Sequence, residues 1–171
     1  MEPRPTIRSE TDADRTAIGN VIRSAFAGKP YAAGDEAELV EVLRREGALT
    51  VSLVAELNSE IIGQIALSPA ATTDGRAGWY ALGPVSVLPV HQRRRIGSEL
   101  VNAGLRSIVA LGAEGCILTG DPSYYARFGF VLSPSNVPNG EPPEFFMVKR
   151  FGTRMPSGPI SFHWAFTTHD R

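Results

Sequence analysis

Val85-Ser86-Val87-Leu88-Pro89-Val90-His91-Gln92-Arg93-Arg94-Arg95-Ile96-Gly97-Ser98 runs from a β-branched, apolar stretch through a polar turn into a helical pattern. A strand that turns directly into a helix points free backbone N–H groups and the positive end of a helix dipole at one spot, as a pyrophosphate requires. Three adjacent arginines, Arg93, Arg94 and Arg95, add positive charge beside it. A solvated helix start carries the same charges, so the weight falls on spacing and on the order of the surrounding elements.

Working outward, the strand entering this segment covers Trp79 to Leu88 and holds Gly83-Pro84 in its interior. Proline has no N–H to donate, so a bulge or interrupted pairing is expected there. The helix leaving it carries Ile96, Leu100, Ala103 and Ser107, with Val101, Leu105 and Ile108 alongside, and Gly112 can cap it. Cys116 to Thr119 follows as a short buried strand. Upstream lies a hairpin: Val51 to Leu57, Asn58-Ser59, then Ile61 to Leu67, with Ile61, Gly63, Ile65 and Leu67 sharing one face. Further upstream, Thr6 to Arg8 reads as a strand and Thr11 with Asp14 as a helix start. That helix carries Ile18, Val21, Ile22, Ala25 and Phe26; a second, from Asp35 to Gly47, carries Leu39, Val42 and Leu43. Downstream come a short aromatic helix at Tyr124 to Phe128, a proline-rich loop from Ser133 to Pro143, a strand at Phe145 to Val148, and a last strand alternating Ile160, Phe162, Trp164 and Phe166. The order β-α-α-β-β-β-α-β-α-β-β is that of a mixed α/β domain.

The chain has 171 residues, 17 basic and 18 acidic side chains, and a single cysteine. Residues 1–171 are expected to form one domain, large enough to bury a core without metal or disulfide staples. A formal net charge of -1 argues against a nucleic-acid partner that works by neutralising phosphates. No apolar run approaches the ~18 residues that span a bilayer, Met1 to Thr11 does not read as a signal sequence, and lone Cys116 fits a reducing compartment, so the expected setting is the cytoplasm. Three scattered histidines and one cysteine have no metal-ligand spacing, and no metal is expected.

The loop resembles the acyl-CoA loop of the GNAT superfamily of N-acetyltransferases, which reads Gln/Arg-x-x-Gly-x-Gly/Ala between a bulged strand and a helix. Gln92 and Gly97 match the first and last marked positions, and Arg95 replaces the middle glycine. An arginine there implies an unstrained φ or a slightly wider loop. Tyr125-Ala126-Arg127-Phe128-Gly129-Phe130 resembles the family's Tyr-x-x-x-Gly-Phe segment, and Gly120-Asp121-Pro122-Ser123-Tyr124-Tyr125 resembles one predicted-acetyltransferase subgroup. Gly63 also stands where members often have glycine, and the likeness spans most of residues 6 to 150.

The resemblance implies a mostly antiparallel central sheet flanked by helices, with a splay between the fourth and fifth strands, Trp79–Leu88 and Cys116–Thr119. It implies acetyl-CoA as co-substrate, transferring acetyl directly to an amine of a small molecule or peptide in a ternary complex; a homodimer is compatible with it. Val85 and Val87 would offer backbone groups to pantetheine, with the Val87 N–H or a near neighbour meeting the oxyanion. Gln92, Arg93, Arg94, Arg95, Ile96, Gly97 and Ser98 would hold phosphate. Tyr125 aligns with the tyrosine that protonates the departing thiolate, and a phenol suits that role because it is protonated at neutral pH. Tyr124 is the reserve, and the whole aromatic cluster would pack a short helix whatever the chemistry. The asparagine that often contacts CoA upstream is missing, leaving Asp121, Ser123 or a water to replace it.

No carboxylate lies between Leu82 and Leu88, so amine deprotonation passes through ordered water, through the acceptor, or through Glu56, Asp121, Glu144 or His91, each with a surface or capping role as the competing reading. His163 and His169 are expected to be structural or exposed, and Cys116 to be core rather than a thiol that carries acyl groups. The missing base and Arg95 also leave room for a non-catalytic acyl-CoA-binding sensor. A nucleotide-phosphate protein of another fold is disfavoured by the absence of Gly-x-Gly-x-x-Gly and of a phosphate-loop Lys-Ser/Thr.

Overall fold

The computed structural model describes residues 3–30 and 32–167. In chain order the strands are β1 (Thr6–Ser9), β2 (Val51–Leu57), β3 (Glu60–Pro69), β4 (Ala71–Thr72), β5 (Trp79–Val87), β6 (Gly115–Thr119), β7 (Val131–Leu132), β8 (Phe146–Arg150) and β9 (Ile160–Ser161). The helices are α1 (Arg15–Phe26), α2 (Glu36–Arg45), α3 (Ile96–Ala110) and α4 (Pro122–Tyr125). Seven strands form one sheet in the order β1-β2-β3-β5-β6-β8-β7, antiparallel except for the β5–β6 pair. α3 packs across β2, β3 and β5 through Ile96, Leu100, Val101, Leu105 and Ile108, while α1 covers the other face with Ile18, Val21 and Ile22 on Val54, Ile61 and Ala66. Their spacing at three and four residues puts each apolar set on one side of its helix. In α2 the buried residues are Ala37, Val40 and Leu43; Leu39 and Val42, expected on the core side, are only half buried.

Two irregularities shape the sheet. The β2–β3 hairpin turns on Asn58 and Ser59, both at positive φ, as a two-residue turn with the sheet's own twist demands. Its register shifts between Ala55 and Glu56, where Ala55 faces Gly63 but Glu56 faces Ile61, so Ile62 is the extra residue. The bulge reverses the alternation: Ile61 packs under α1, whereas Ile62, Ile65 and Leu67 pack under α3. The expected common face of Ile61, Gly63, Ile65 and Leu67 is therefore corrected at Ile61.

The second irregularity is the expected one at Gly83-Pro84. Ile65 pairs with Val85 but Leu67 with Leu82, leaving two residues of β5 opposite one of β3. On its other edge β5 pairs with β6 only at Trp79, Tyr80 and Ala81. From Leu82 to Val87 this edge has no strand partner among the described residues, which is the splay. Gln64, fully buried on β3, donates from Nε2 to the Pro84 carbonyl at 3.1 Å and to the Ser86 hydroxyl at 3.0 Å, bracing the bulge.

The C-terminal third departs most from expectation. The strand expected through Phe166 stops after Ile160 and Ser161, which pair with β4 outside the main sheet, and Trp164–Phe166 is a 3-10 turn. His163 drives that change, its Nδ1 accepting the Ala165 N–H at 3.0 Å. Phe162 and Phe166 stack together, and Phe162 meets Phe146, so their burial comes from ring packing rather than strand alternation. β7 was not anticipated because two residues carry no period. The aperiodic loop beyond it is ordered by Asn136, whose Nδ2 donates to the Pro156 and Gly158 carbonyls at 2.9 and 2.8 Å. His169 lies outside the described residues. No helix among them is long and apolar enough to cross a membrane, and no group of three or more His, Cys, Asp or Glu could hold a metal ion.

Candidate active site

At the end of β5 the Leu88 N–H donates to the Ile62 carbonyl of β3 at 2.8 Å. Backbone groups alternate along a strand, so the N–H groups of Val87 and Val85 point the other way, into the splay. The Val87 carbonyl on that side accepts from Gln92 Nε2 at 2.9 Å, which ties the start of the loop to the end of the strand. The chain then makes a 3-10 turn at Pro89–His91 and enters α3 through Arg93 and Arg95, at φ 66° and 65°. Of the two expectations for Arg95, an unstrained φ or a slightly wider loop, the first is overturned. Arg95 takes the left-handed conformation that glycine would adopt freely, at a cost of about 1–2 kcal/mol.

That turn leaves the start of α3 open. Arg95 is the N-cap and no side chain caps it; the first N–H answered within the helix is that of Glu99, to the Arg95 carbonyl at 3.0 Å. Ile96, Gly97 and Ser98 therefore present the orphan N–H groups of a helix start. They border a cavity of about 270 Å³ lined also by Val87, His91, Gln92, Arg93, Arg95, Tyr124 and Arg127. No carboxylate lines it, and Arg93, Arg95 and Arg127 give it a positive field. A Cβ on Gly97 would stand 3.5 Å from the Tyr124 hydroxyl, projecting toward this cavity's wall. The cavity fits a pyrophosphate, and the open β5 edge beside it fits an amide-bearing chain.

Of the sequence candidates, Val87, Gln92, Arg93, Arg95, Ile96, Gly97 and Ser98 come together here. Val85 faces the splay through its backbone only, and Arg94 turns to an adjoining cavity of about 290 Å³ with Arg4, His91, Arg93 and Arg95. Three lining residues had not been assigned to the cofactor: His91, Tyr124 and Arg127. For Tyr124 and Arg127, though not for His91, the i, i+3 spacing is the signal that could have found them. Arg127 lies over the Tyr124 ring, 4.5 Å from its centroid, and Tyr124 meets the Ser98 hydroxyl at 3.3 Å.

The two tyrosines divide along α4. Tyr124 faces the loop, whereas the Tyr125 ring lies against Gly120 and Leu118 at the end of β6, where a Cβ on Gly120 would be 2.6 Å from its Cε2. Tyr125 also meets Tyr124 and Phe130 edge-on. Tyr125 therefore stands beside β6, on the far side of the splay from the open edge of β5. Among the base candidates, Glu56 is paired with Arg8 on the distant β1–β2 edge, and Asp121 is spent as the N-cap of α4, accepting from Ser123 N–H at 3.0 Å. Cys116 is fully buried, and desolvation pushes its thiol well above the usual range, which leaves it inert core.

An opened sheet beside an uncapped, cationic helix start suits a ligand that joins a phosphate to an amide-bearing chain, and the proteins this chain is similar to bind such a ligand. The profile described as acetyltransferase (GNAT) domain matches residues 49–132. A relative from Escherichia coli strain K12, uncharacterized N-acetyltransferase YhbS, is 33% identical over 128 residues, covering 74% of each chain. A crystal structure of a GNAT family acetyltransferase from Brucella melitensis in complex with acetyl-CoA is 40% identical with a TM-score of 0.86, covering 96% of this chain and 99% of that one. The E. coli YhbS structure in complex with CoA is 29% identical with a TM-score of 0.87, covering 98% and 95%. The chain belongs to the GNAT family of N-acetyltransferases.

Proposed function

We propose that the protein is an acetyl-CoA-dependent N-acetyltransferase, a single catalytic domain that moves acetyl directly to an amine of a small molecule or peptide. Bound acetyl-CoA would supply an activated thioester. The Arg93–Ser98 turn and α3 N–H groups hold its pyrophosphate, with Arg93, Arg95 and Arg127 supplying charge and the Tyr124 and Ser98 hydroxyls bordering it. The open edge at Val85 and Val87 pairs with its amides, and the Val87 N–H receives the charge that develops on the carbonyl oxygen. Tyr125 protonates the departing sulfur. The observation that carries this reading is the convergence of an uncapped helix start, a carboxylate-free cationic cavity and the unpaired β5 edge at one opening. A cytoplasmic setting suits the lone buried thiol.

Titration calorimetry with acetyl-CoA and CoA, followed by thiol release with a panel of amines, tests the proposal. Binding with turnover is expected. Absence of heat with either ligand would overturn it, and binding without turnover would favour the sensor.

A further inference from the structure

We propose that Glu141 is the residue that binds the acceptor as a primary ammonium ion and takes its proton; this rests on the acetyltransferase reading above. Glu141 belongs to the loop after β7, and its Oε1 accepts the Thr119 hydroxyl at 2.6 Å. Thr119 is the last residue of β6, at the splay. Its neighbour Leu118 pairs with Met147, and both pack under α3. Thr119 pairs with Phe146, which packs in the cluster on the opposite face with Ala81 and Ile117. Side chains alternate along strands, so Thr119 holds Glu141 on the face away from α3 and the cofactor loop.

An amine attacking a thioester held from the α3 side arrives from that opposite face. The next residue, Gly120, carries the Tyr125 ring against it and donates its N–H to the Phe145 carbonyl at 3.0 Å, which pins the loop to the strand end. The carboxylate and the phenol are thus hung from consecutive residues at one lip of the splay. Oε1 is engaged while Oε2 accepts no hydrogen bond among the described residues. The charged groups on the surrounding segments are Asp121, which caps α4, and Glu144, which is exposed; neither Thr119–Ser123 nor Ser133–Phe145 contains a lysine or arginine. These two segments supply no cation to pair with the carboxylate, so a cationic acceptor is attracted to it.

In the step that follows, Glu141 accepts a proton from the ammonium, and the freed nitrogen lone pair forms the C–N bond. The carbonyl π pair moves to oxygen at the Val87 N–H and returns as the C–S bond breaks. Sulfur takes that bond's electrons and the Tyr125 proton, and the tyrosinate recovers the second nitrogen proton. Glu141 then releases its proton to water, so the balance is ammonium plus thioester to amide, thiol and one proton.

The test compares Glu141→Gln and Thr119→Val with the wild type on tyramine, cadaverine, spermidine and a lysine peptide, at pH 7 and pH 9, with calorimetry against acetyl-CoA. Glu141→Gln should lower kcat/KM by about 10²-fold at pH 7, with the deficit narrowing at pH 9 as free amine becomes available. Thr119→Val, which keeps the carboxylate but loses its anchor, should cost about tenfold with the same narrowing. Affinity for acetyl-CoA should stay near wild type in both. A Glu141→Gln protein whose rate and pH profile match the wild type overturns the inference, as does a wild type that acetylates an arylamine such as aniline but none of these alkylamines. Failure of the wild type to bind acetyl-CoA, or binding without turnover of any amine, instead overturns the underlying function.

Discussion

The regions proposed as the donor and acceptor mouths of the splay are built in opposite ways. The donor mouth is nearly continuous in sequence, from Val87 to Ser98 with Tyr124 and Arg127 added by one helical turn, and it carries arginines and no carboxylate. The acceptor mouth joins Thr119 to Glu141, 22 positions apart, and its loop is held by Asn136 reaching Pro156 and Gly158. A phosphate site made of backbone N–H groups needs a local turn and a helix start, whereas a mouth that sorts acceptors is made from loops that meet only after the sheet forms.

The strongest way to break this contrast is at the lip between the mouths. Tyr125→Phe keeps the ring in its aromatic cluster and removes the hydroxyl, so turnover should fall by roughly 10²-fold with acetyl-CoA affinity unchanged. Tyr124→Phe, facing the loop, should change the rate much less. Undiminished turnover in Tyr125→Phe would return that residue to packing alone.

On the acceptor side, Asn136→Ala strands two carbonyls and the Ser133 hydroxyl, at about 1–3 kcal/mol for each group left buried and unpaired. Melting should drop and KM for the amine should rise while acetyl-CoA affinity holds; an unchanged KM would mean this loop does not shape the acceptor mouth. The mirror experiment is Gly97→Val, which should weaken acetyl-CoA binding about tenfold by crowding the phosphate approach, without lowering the melting temperature or the amine KM. Equal affinity would place the phosphate elsewhere.

The smallest effect sharpens the cost of the donor turn. Arg95→Gly removes left-handed strain but adds unfolded-chain entropy, for a net gain of about 0.5–1 kcal/mol. Melting should rise by roughly 2–3 °C while acetyl-CoA affinity falls slightly with the lost charge. A drop in melting temperature would show that the arginine side chain supports the fold.

The legible parts were those carried by short-range pattern: the hairpin at Asn58-Ser59, the bulge at Gly83-Pro84, the amphipathic α1 and α3, and the Gln92–Ser98 turn. The last strand is shorter than its pattern predicts because Phe162, Trp164 and Phe166, beyond the paired Ile160, alternate for a reason other than strand pairing, namely ring stacking around a His163 cap. Ile61 was misread because one inserted residue, Ile62, reverses every side chain across it.

By itself the sequence determined the order of the longer elements, the family resemblance and the strand-to-helix turn at Gln92–Ser98, because helix periodicity and turn chemistry each operate within about a dozen neighbouring residues. Only the tertiary structure decided that Arg95 bears a left-handed turn, that Tyr124 faces the loop while Tyr125 faces the strand end, and that Glu141 hangs from Thr119. Those outcomes depend on which residues of distant segments arrive at the same place, and sheet register, which sets that meeting, is a property of paired strands rather than of either strand alone.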